Sequence, residues 1–448
     1  MSVVPEPAVS KPESQAGSPN TRTRRTVIAS LVGTTVEMYD FVLYGSAAAV
    51  VFAPLFFPQA DPLVGTIAAF ATFGVGFIAR PVGGVIFGNL GDRIGRKQVL
   101  VLTMIGMGIA STLIGLLPTY ETIGVAAPIA LVALRLLQGV AMGGEQGGAF
   151  VLAAEADGTS STRRGFLGSW PGVGMAGGLV LASLIFGAFA RLEPEAFLSW
   201  GWRVPFLLSL VLVAIALIIR LGIPETSVFK KAQSEEHVSR FPLGEMLRSH
   251  WRKILLIVGM KSGETAAFFL IATFSVTYGV QFVGLASSDV LGAVLLAALV
   301  EMITLPLWGA LSDRLGRRPV MIFGALFMAA FSVPFFLLLN TGNISLYYIA
   351  LAIAMGLGHG PLAAPAGAFF AELFPTKVRL SGVSVGVQLT AALAGGFTPL
   401  IATALLASTG NFLTVAGYIA ALAVISLIAT ILTRETNSRV GAVHLLSE

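Results

Sequence analysis

Apolar residues in this chain fall into runs of about twenty broken by short polar stretches, a pattern unlike the alternation of a strand or the one-sided stripe of a soluble helix. A helix crossing a bilayer needs about 20 predominantly apolar residues at about 1.5 Å each. Twelve stretches reach that length. Six are 27–52, 64–89, 98–117, 124–155, 165–190 and 203–222. A polar stretch, 223–252, follows, and then come 253–282, 289–311, 319–339, 344–371, 381–407 and 411–433. Residues 1–26, rich in Pro and Ser and ending in Arg22, Arg24 and Arg25, hold no apolar stretch and no small-residue cleavage site. They read as a disordered tail rather than a signal peptide. The pattern predicts an all-α membrane protein with twelve transmembrane helices: a six-helix unit over 27–222, a linker over 223–252, a second six-helix unit over 253–433 and a tail over 434–448.

Composition sharpens this. Hydrophobic residues make up 55% of the chain and charged ones 11%, against about 25% charged in an average soluble domain. The 51 glycines suit membrane helices, whose backbones approach closely through small residues. The pairs Gly143/Gly147, Gly144/Gly148 and Gly174/Gly178 are expected to seat the fourth helix on the fifth. With no cysteine and four scattered histidines, no disulfide, thiol nucleophile or metal cluster is expected. Most Lys and Arg residues sit in the tails and in the loops after even-numbered helices. By the positive-inside rule both termini and the linker are then cytoplasmic, in a plasma membrane of bacterial type, and the basic balance sets topology rather than binding nucleic acid.

Landmarks repeat between the halves. After the second helix the chain reads Gly88-Asn89-Leu90-Gly91-Asp92-Arg93-Ile94-Gly95-Arg96-Lys97, and after the eighth Gly309-Ala310-Leu311-Ser312-Asp313-Arg314-Leu315-Gly316-Arg317-Arg318. Glu155 and Glu372 close the fourth and tenth helices, and Glu225 and Glu435, each followed by Thr, close the sixth and twelfth. The order implies a duplicated, pseudo-symmetric unit, a recurring plan for transporters with a midplane site. An Asp at the same place in both halves can cap the positive N-terminal end of a neighbouring helix, with Gly91, Gly95 and Gly316 permitting a tight turn. Positive-inside topology alone is the plainer reading of these loops.

The doubled Gly-x-Leu-x-Asp-Arg-x-Gly-Arg-Lys/Arg pattern resembles the loop signature of the major facilitator superfamily. Glu37-Met38-Tyr39-Asp40-Phe41, Ala79-Arg80-Pro81, Arg135-x-x-Gln138-Gly139 and Gly143-Gly144-Glu145 resemble its metabolite:proton symporter branch. Lys261-x-x-Glu264 and Ala371-Glu372-Leu373-Phe374-Pro375-Thr376 look closest to shikimate-type organic acid transporters. Met38 stands where the family usually has Trp, and Lys261 where it usually has Arg. The resemblance implies the major facilitator fold, transport by alternating access, no cofactor beyond a proton gradient as energy source, and a monomer in the lipid bilayer. In that family the repeated loop latches the cytoplasmic gate. This assigns conformational control to Gly91, Asp92, Arg93, Arg96, Asp313, Arg314 and Arg317, with Glu155 and Glu372 joining the latches.

Ionisable residues inside spans cost about 2.5–3.5 kcal/mol on insertion scales and are functional candidates by default. Glu37, Asp40 and Tyr44 are spaced three and four apart and share a helix face. Two carboxylates this close cannot both ionise cheaply, which suits the pair to carrying a proton. Asp40 is the first candidate and Glu37 the alternative. Arg135, Gln138, Met142 and Glu145 form one stripe on the fourth helix. Arg135 can bind a carboxylate substrate or alternate as the partner of Asp40, and the resemblance favours the coupling role. Arg80, about 18 Å along its helix from Asp92, is the first candidate for an anion ligand. Tyr44, Gln138 and Glu145 are placed in the substrate cavity with it. Lys261 and Glu264 are either a packing pair or a cation offered to substrate by the second half. Glu301 has no sequence-local partner. His359, among glycines and Pro361, is read as a packing histidine, with a proton relay as the alternative.

The fifth helix holds Gly174, Gly177 and Gly178 without the proline of the exporter element, which points to uptake. Arg80, Arg135 and Lys261 favour an organic anion as substrate, since a buried cation is costly without an anionic partner. A zwitterionic osmolyte such as betaine or proline is the rival, which an extended charged C-terminal helix would support. A transport-dead sensor would need a signalling domain that neither the linker nor the tails can hold. No nucleophile, metal or phosphate motif suggests an enzyme.

Overall fold

The structure, a computed structural model, describes residues 19–94, 96–143, 153, 162–221, 242–375 and 378–437. Within these, each of the twelve apolar stretches is helical apart from single-turn breaks. The helices are α1 (Pro19–Val50), α2 (Pro62–Ile94), α3 (Arg96–Leu116), α4 (Ala126–Met142), α5 (Arg164–Phe189), α6 (Arg203–Leu221), α7 (Ser249–Val283), α8 (Ser287–Leu315), α9 (Arg317–Leu339), α10 (Ile344–Glu372), α11 (Ser381–Thr409) and α12 (Phe412–Leu432). By length and composition eight are apolar enough to cross a membrane, or nine if the bent pair Pro194–Gly201 and Arg203–Ile218 is one span. Val101–Leu116 and Ala126–Met142 are shorter apolar helices. No strand occurs among the described residues.

Helices begin earlier than hydropathy places them. α1 is helical already at Pro19, against an expected 27, and the helix leading into α7 already at Pro242, against an expected 253. Pro19 and Pro242 are the first described residues of their segments, and the helix is already formed there. The polar residues that follow each one continue the helix beyond the apolar run. Gly91, expected in a turn, lies inside α2, which runs to Ile94. Gly316 does make the turn after α8, at φ 103°, a backbone region that side chains with a Cβ rarely adopt.

The packing repeats with an offset of six helices. α1 packs on α5 as α7 packs on α11, and α2 packs on α4 as α8 packs on α10. Likewise α3 packs on α6 and α9 on α12, while α1 meets α6 and α7 meets α12. The halves join along α5 with α8 and along α2 with α11, which are the same pairing with the halves exchanged.

The glycines seat different helices from those expected. A Cβ on Gly83, Gly139 or Gly143 would overlap the carbonyl of Val140, Gly76 or Arg80, so these residues bring α2 and α4 into backbone contact. A Cβ on Gly174 or Gly178 would strike Leu31, Thr34, Thr35 or Tyr39 of α1. Among the described residues, small residues thus join α4 to α2 and α5 to α1, not α4 to α5. The reason is order in space: each helix pairs with the one it faces, and chain neighbours need not face each other. Gly144, Gly147 and Gly148 lie outside the described residues.

Candidate functional site

Two buried clusters of charge lie within the bundle, one in each half. In the first, α1 supplies Glu37, Asp40, Phe41 and Tyr44, and their helical spacing turns all four inward. The Asp40 carboxylate accepts a hydrogen bond from the Ser209 hydroxyl of α6 at 2.5 Å and meets no cation within 4.0 Å among the described residues. Arg80 of α2 reaches Glu37 at 4.0 Å and the Met142 sulfur of α4 at 4.0 Å. Its guanidinium lies 4.1 Å from the Phe41 ring centre and 4.5 Å from that of Phe77. Arg135 of α4 lies over Tyr44, Phe41 and Phe73 at 4.1, 4.4 and 4.9 Å.

Arg135 Nη1 donates to Gln138 at 2.5 Å, and Gln138 in turn donates to Ser111 at 2.7 Å. Arg135 Nε and Nη2 find no acceptor among the described residues. The Tyr44 hydroxyl donates to Thr72 at 2.6 Å, since the Thr72 proton is given to the Ala69 carbonyl. The expected Asp40–Arg135 pair is therefore absent from this conformation. Aromatic faces hold the guanidinium and Gln138, one turn on, takes its N–H, while Ser209 takes the carboxylate. Glu145 lies outside the described residues.

The second cluster joins three helices of the other half. Lys261 and Glu264 of α7 pair at 2.7 Å, and Thr265 donates to Glu264 at 2.8 Å. His359 of α10 reaches Glu264 with Nε2 at 3.5 Å and Glu301 of α8 with Nδ1 at 2.5 Å. All four charged groups are buried. His359 is satisfied in place, its ring lying between two carboxylates, an arrangement open to both the packing and the relay reading. Glu301 finds its partner 58 residues along the chain, a distance no local motif signals. A π-helical turn, Ala354–His359, ends at this histidine, and such turns mark functional sites often. A small cavity with room for about one water is lined by Glu264, Phe268, Glu301 and His359 of one half and by Gly172 and Met175 of the other.

Among the described residues, contacts between the halves close the bundle toward both ends. At the end carrying the repeated loops, Asp313 of α8 accepts from the Gly165 and Phe166 N–H groups at 2.8 and 2.9 Å, capping α5 across the half boundary. Arg317 holds Asp313 at 2.7 Å and Glu372 at 3.5 Å, and Arg164 of the first half reaches Glu372 at 3.8 Å. Glu435, a residue the sequence marked only as a landmark, caps α9 through the Arg317 and Arg318 N–H groups at 3.0 and 2.9 Å. Arg314 is exposed and the structure does not bring it into this network. The side chains of Asp92, Arg93 and Arg96, and all of Glu155, lie outside the described residues. At the opposite end Gln281 of α7 donates to Thr66 at 3.0 Å and to the Ala49 carbonyl at 3.4 Å. Between the ends, Phe269 of α7 packs edge-on against Phe73 and Phe77 of α2, and Gln388 of α11 donates to the Gly143 carbonyl at 3.1 Å.

Residues 285–443 match the model of the Major Facilitator Superfamily, and residues 25–241 that of the Sugar (and other) transporter family. The shikimate transporter of Escherichia coli (strain K12) is 41% identical over 93% of this chain and 95% of its own length. The chain belongs to the major facilitator superfamily. A proline/betaine transporter of Salmonella typhimurium is 34% identical over 93% of this chain and 84% of its own. The crystal structure of a D-xylose-proton symporter shares the fold, with a TM-score of 0.68 over 92% of this chain and 97% of that one at 17% identity. This is a multi-pass membrane transporter of small molecules and not an enzyme.

Proposed function

We propose that this facilitator is a proton-coupled importer of a small organic acid, a shikimate-like carboxylate being the first candidate. In this reading it works by alternating access in a bacterial inner membrane, with the termini and the repeated loops on the cytoplasmic side and the proton gradient as its energy source. The observation that carries the proposal is the pair of unmet demands in the first cluster. Buried Arg135 keeps Nε and Nη2 without an acceptor among the described residues, and buried Asp40 meets no cation there. The Nε and Nη2 edge of a guanidinium fits a carboxylate bidentately. A buried carboxylate without a cation at contact is cheapest as the neutral acid. One site thus awaits an anion and the other holds a proton, which is what co-transport of an acid with a proton requires.

The 41% identity to a shikimate transporter supports the substrate class. The 34% identity to a proline/betaine transporter favours a second reading, uptake of a zwitterion whose carboxylate would take the same guanidinium edge. Uptake of radiolabelled shikimate, 2-oxoglutarate, benzoate, betaine and proline into proteoliposomes, with and without an inward proton gradient, separates the two. Gradient-driven accumulation of an acid is expected. Accumulation of betaine or proline alone overturns the organic acid reading, and uptake indifferent to the gradient overturns the coupling.

A further inference from the structure

His359 is buried between two carboxylates in a part of the bundle that the Arg135 and Asp40 cluster does not reach. The charges around it can be summed from every helix packed on its turn. α7 contributes Lys261 and Glu264, and α8 contributes Glu301. The other charged residues of α8, Asp289, Asp313 and Arg314, lie at its two ends, and α9 carries charge only at Arg317 and Arg318 in its first turn. α10 brings two tyrosines, Tyr347 and Tyr348, and no charge before Glu372 at its end. Across the cavity α5 presents Gly172 and Met175. Among the described residues one cation thus faces two carboxylates. With a neutral imidazole the cluster is a buried net anion; with an imidazolium it is neutral. Burying a net charge inside a bundle is costly, so the closed form calls for the proton.

We propose that His359, held between Glu301 and Glu264, is a second proton-binding site of this transporter, separate from Asp40. The position supports exchange with water. The cavity beside His359 is lined from both halves, at the α5–α8 seam along which they touch. When the seam opens to one side, a proton passes from water to the imidazole. When it opens to the other, the imidazolium returns the proton to water, and no redox partner or covalent step is needed. The consequence for transport rests on the proton-coupled reading given above; the binding of the proton itself does not.

Two readouts keep these apart. Replacing His237, His250 and His444 by Gln leaves His359 as the sole histidine of the four. The nitrogen-15 spectrum of the purified protein, titrated from about pH 6 to about pH 9 around the usual imidazole range, then reports its protonation without any substrate. We expect an imidazolium over an interval in which the same protein carrying Glu301→Gln has a neutral ring. Identical titration of the two proteins overturns the proposal, whatever transport shows. In proteoliposomes with shikimate as the probe, Glu301→Gln and His359→Gln should each lower gradient-driven accumulation by about tenfold, a coupling of ordinary size, while exchange at equal pH persists. Undiminished accumulation in both variants contradicts the role. If the wild type accumulates no acid at all, the substrate reading falls and the spectrum still decides the proton site.

Discussion

Arg135 presses a full positive charge against the faces of Tyr44, Phe41 and Phe73, and this arrangement depends on the guanidinium being planar. Lysine would keep the charge and lose both the stacking and the two-pronged edge. A desolvated cation–π contact contributes about 2 kcal/mol. Arg135→Lys should therefore lower uptake by roughly thirtyfold at matched membrane abundance, and uptake within twofold of wild type would show that charge alone suffices. Residues such as Glu37, Asp40, Arg80 and Arg135 were legible because a charge in an apolar run stands out. Their partners were less so. Arg135 turned to Gln138 and three rings instead of Asp40, since aromatic faces leave no mark in a list of charges. Glu301 and His359 come together through the packing of α8 against α10, which sequence spacing does not encode.

At the scale of elements, the first turn of α5 has N–H groups that no residue of α5 can satisfy, and Asp313 of α8 satisfies two of them. The second copy of the loop therefore supplies a cap from one half to a helix of the other. Asp313→Asn keeps the shape but turns one acceptor oxygen into a donor and drops the ion pair to Arg317. Loss of a helix cap costs about 1 kcal/mol. Because the chain has no native cysteine, a single cysteine placed near Gly165 reports this end cleanly. Its labelling by a water-soluble maleimide should rise about fivefold in the Asp313→Asn background, and unchanged labelling would remove the cap from the gate. The capping by Asp313 was readable from the Asp recurring at the same place in both halves. The helical residues from Pro19 and from Pro242 to the apolar runs were not, because hydropathy sees the membrane and not the helix that continues out of it. The π-helical turns of α7, α10 and α11 were also hidden, since they answer to packing rather than to local preference.

The whole molecule is two copies of one six-helix unit whose pairings match helix for helix, yet whose charged clusters differ. The first half stacks two guanidiniums on rings beside Asp40, and the second strings Lys261, Glu264, His359 and Glu301 together. Contacts close the bundle at the repeated-loop end through Asp313 and Glu372 and at the other through Gln281. Such a closed form is a step between two open ones, and moving a proton with an acid across it is the central claim. The most direct test is a pH electrode in a lightly buffered suspension of proteoliposomes, with shikimate added outside and no gradient imposed beforehand. Wild-type protein should make the outer solution more alkaline as substrate enters, and Asp40→Asn should abolish that change while exchange of labelled substrate persists. Entry of substrate with no change in external pH would contradict proton coupling altogether.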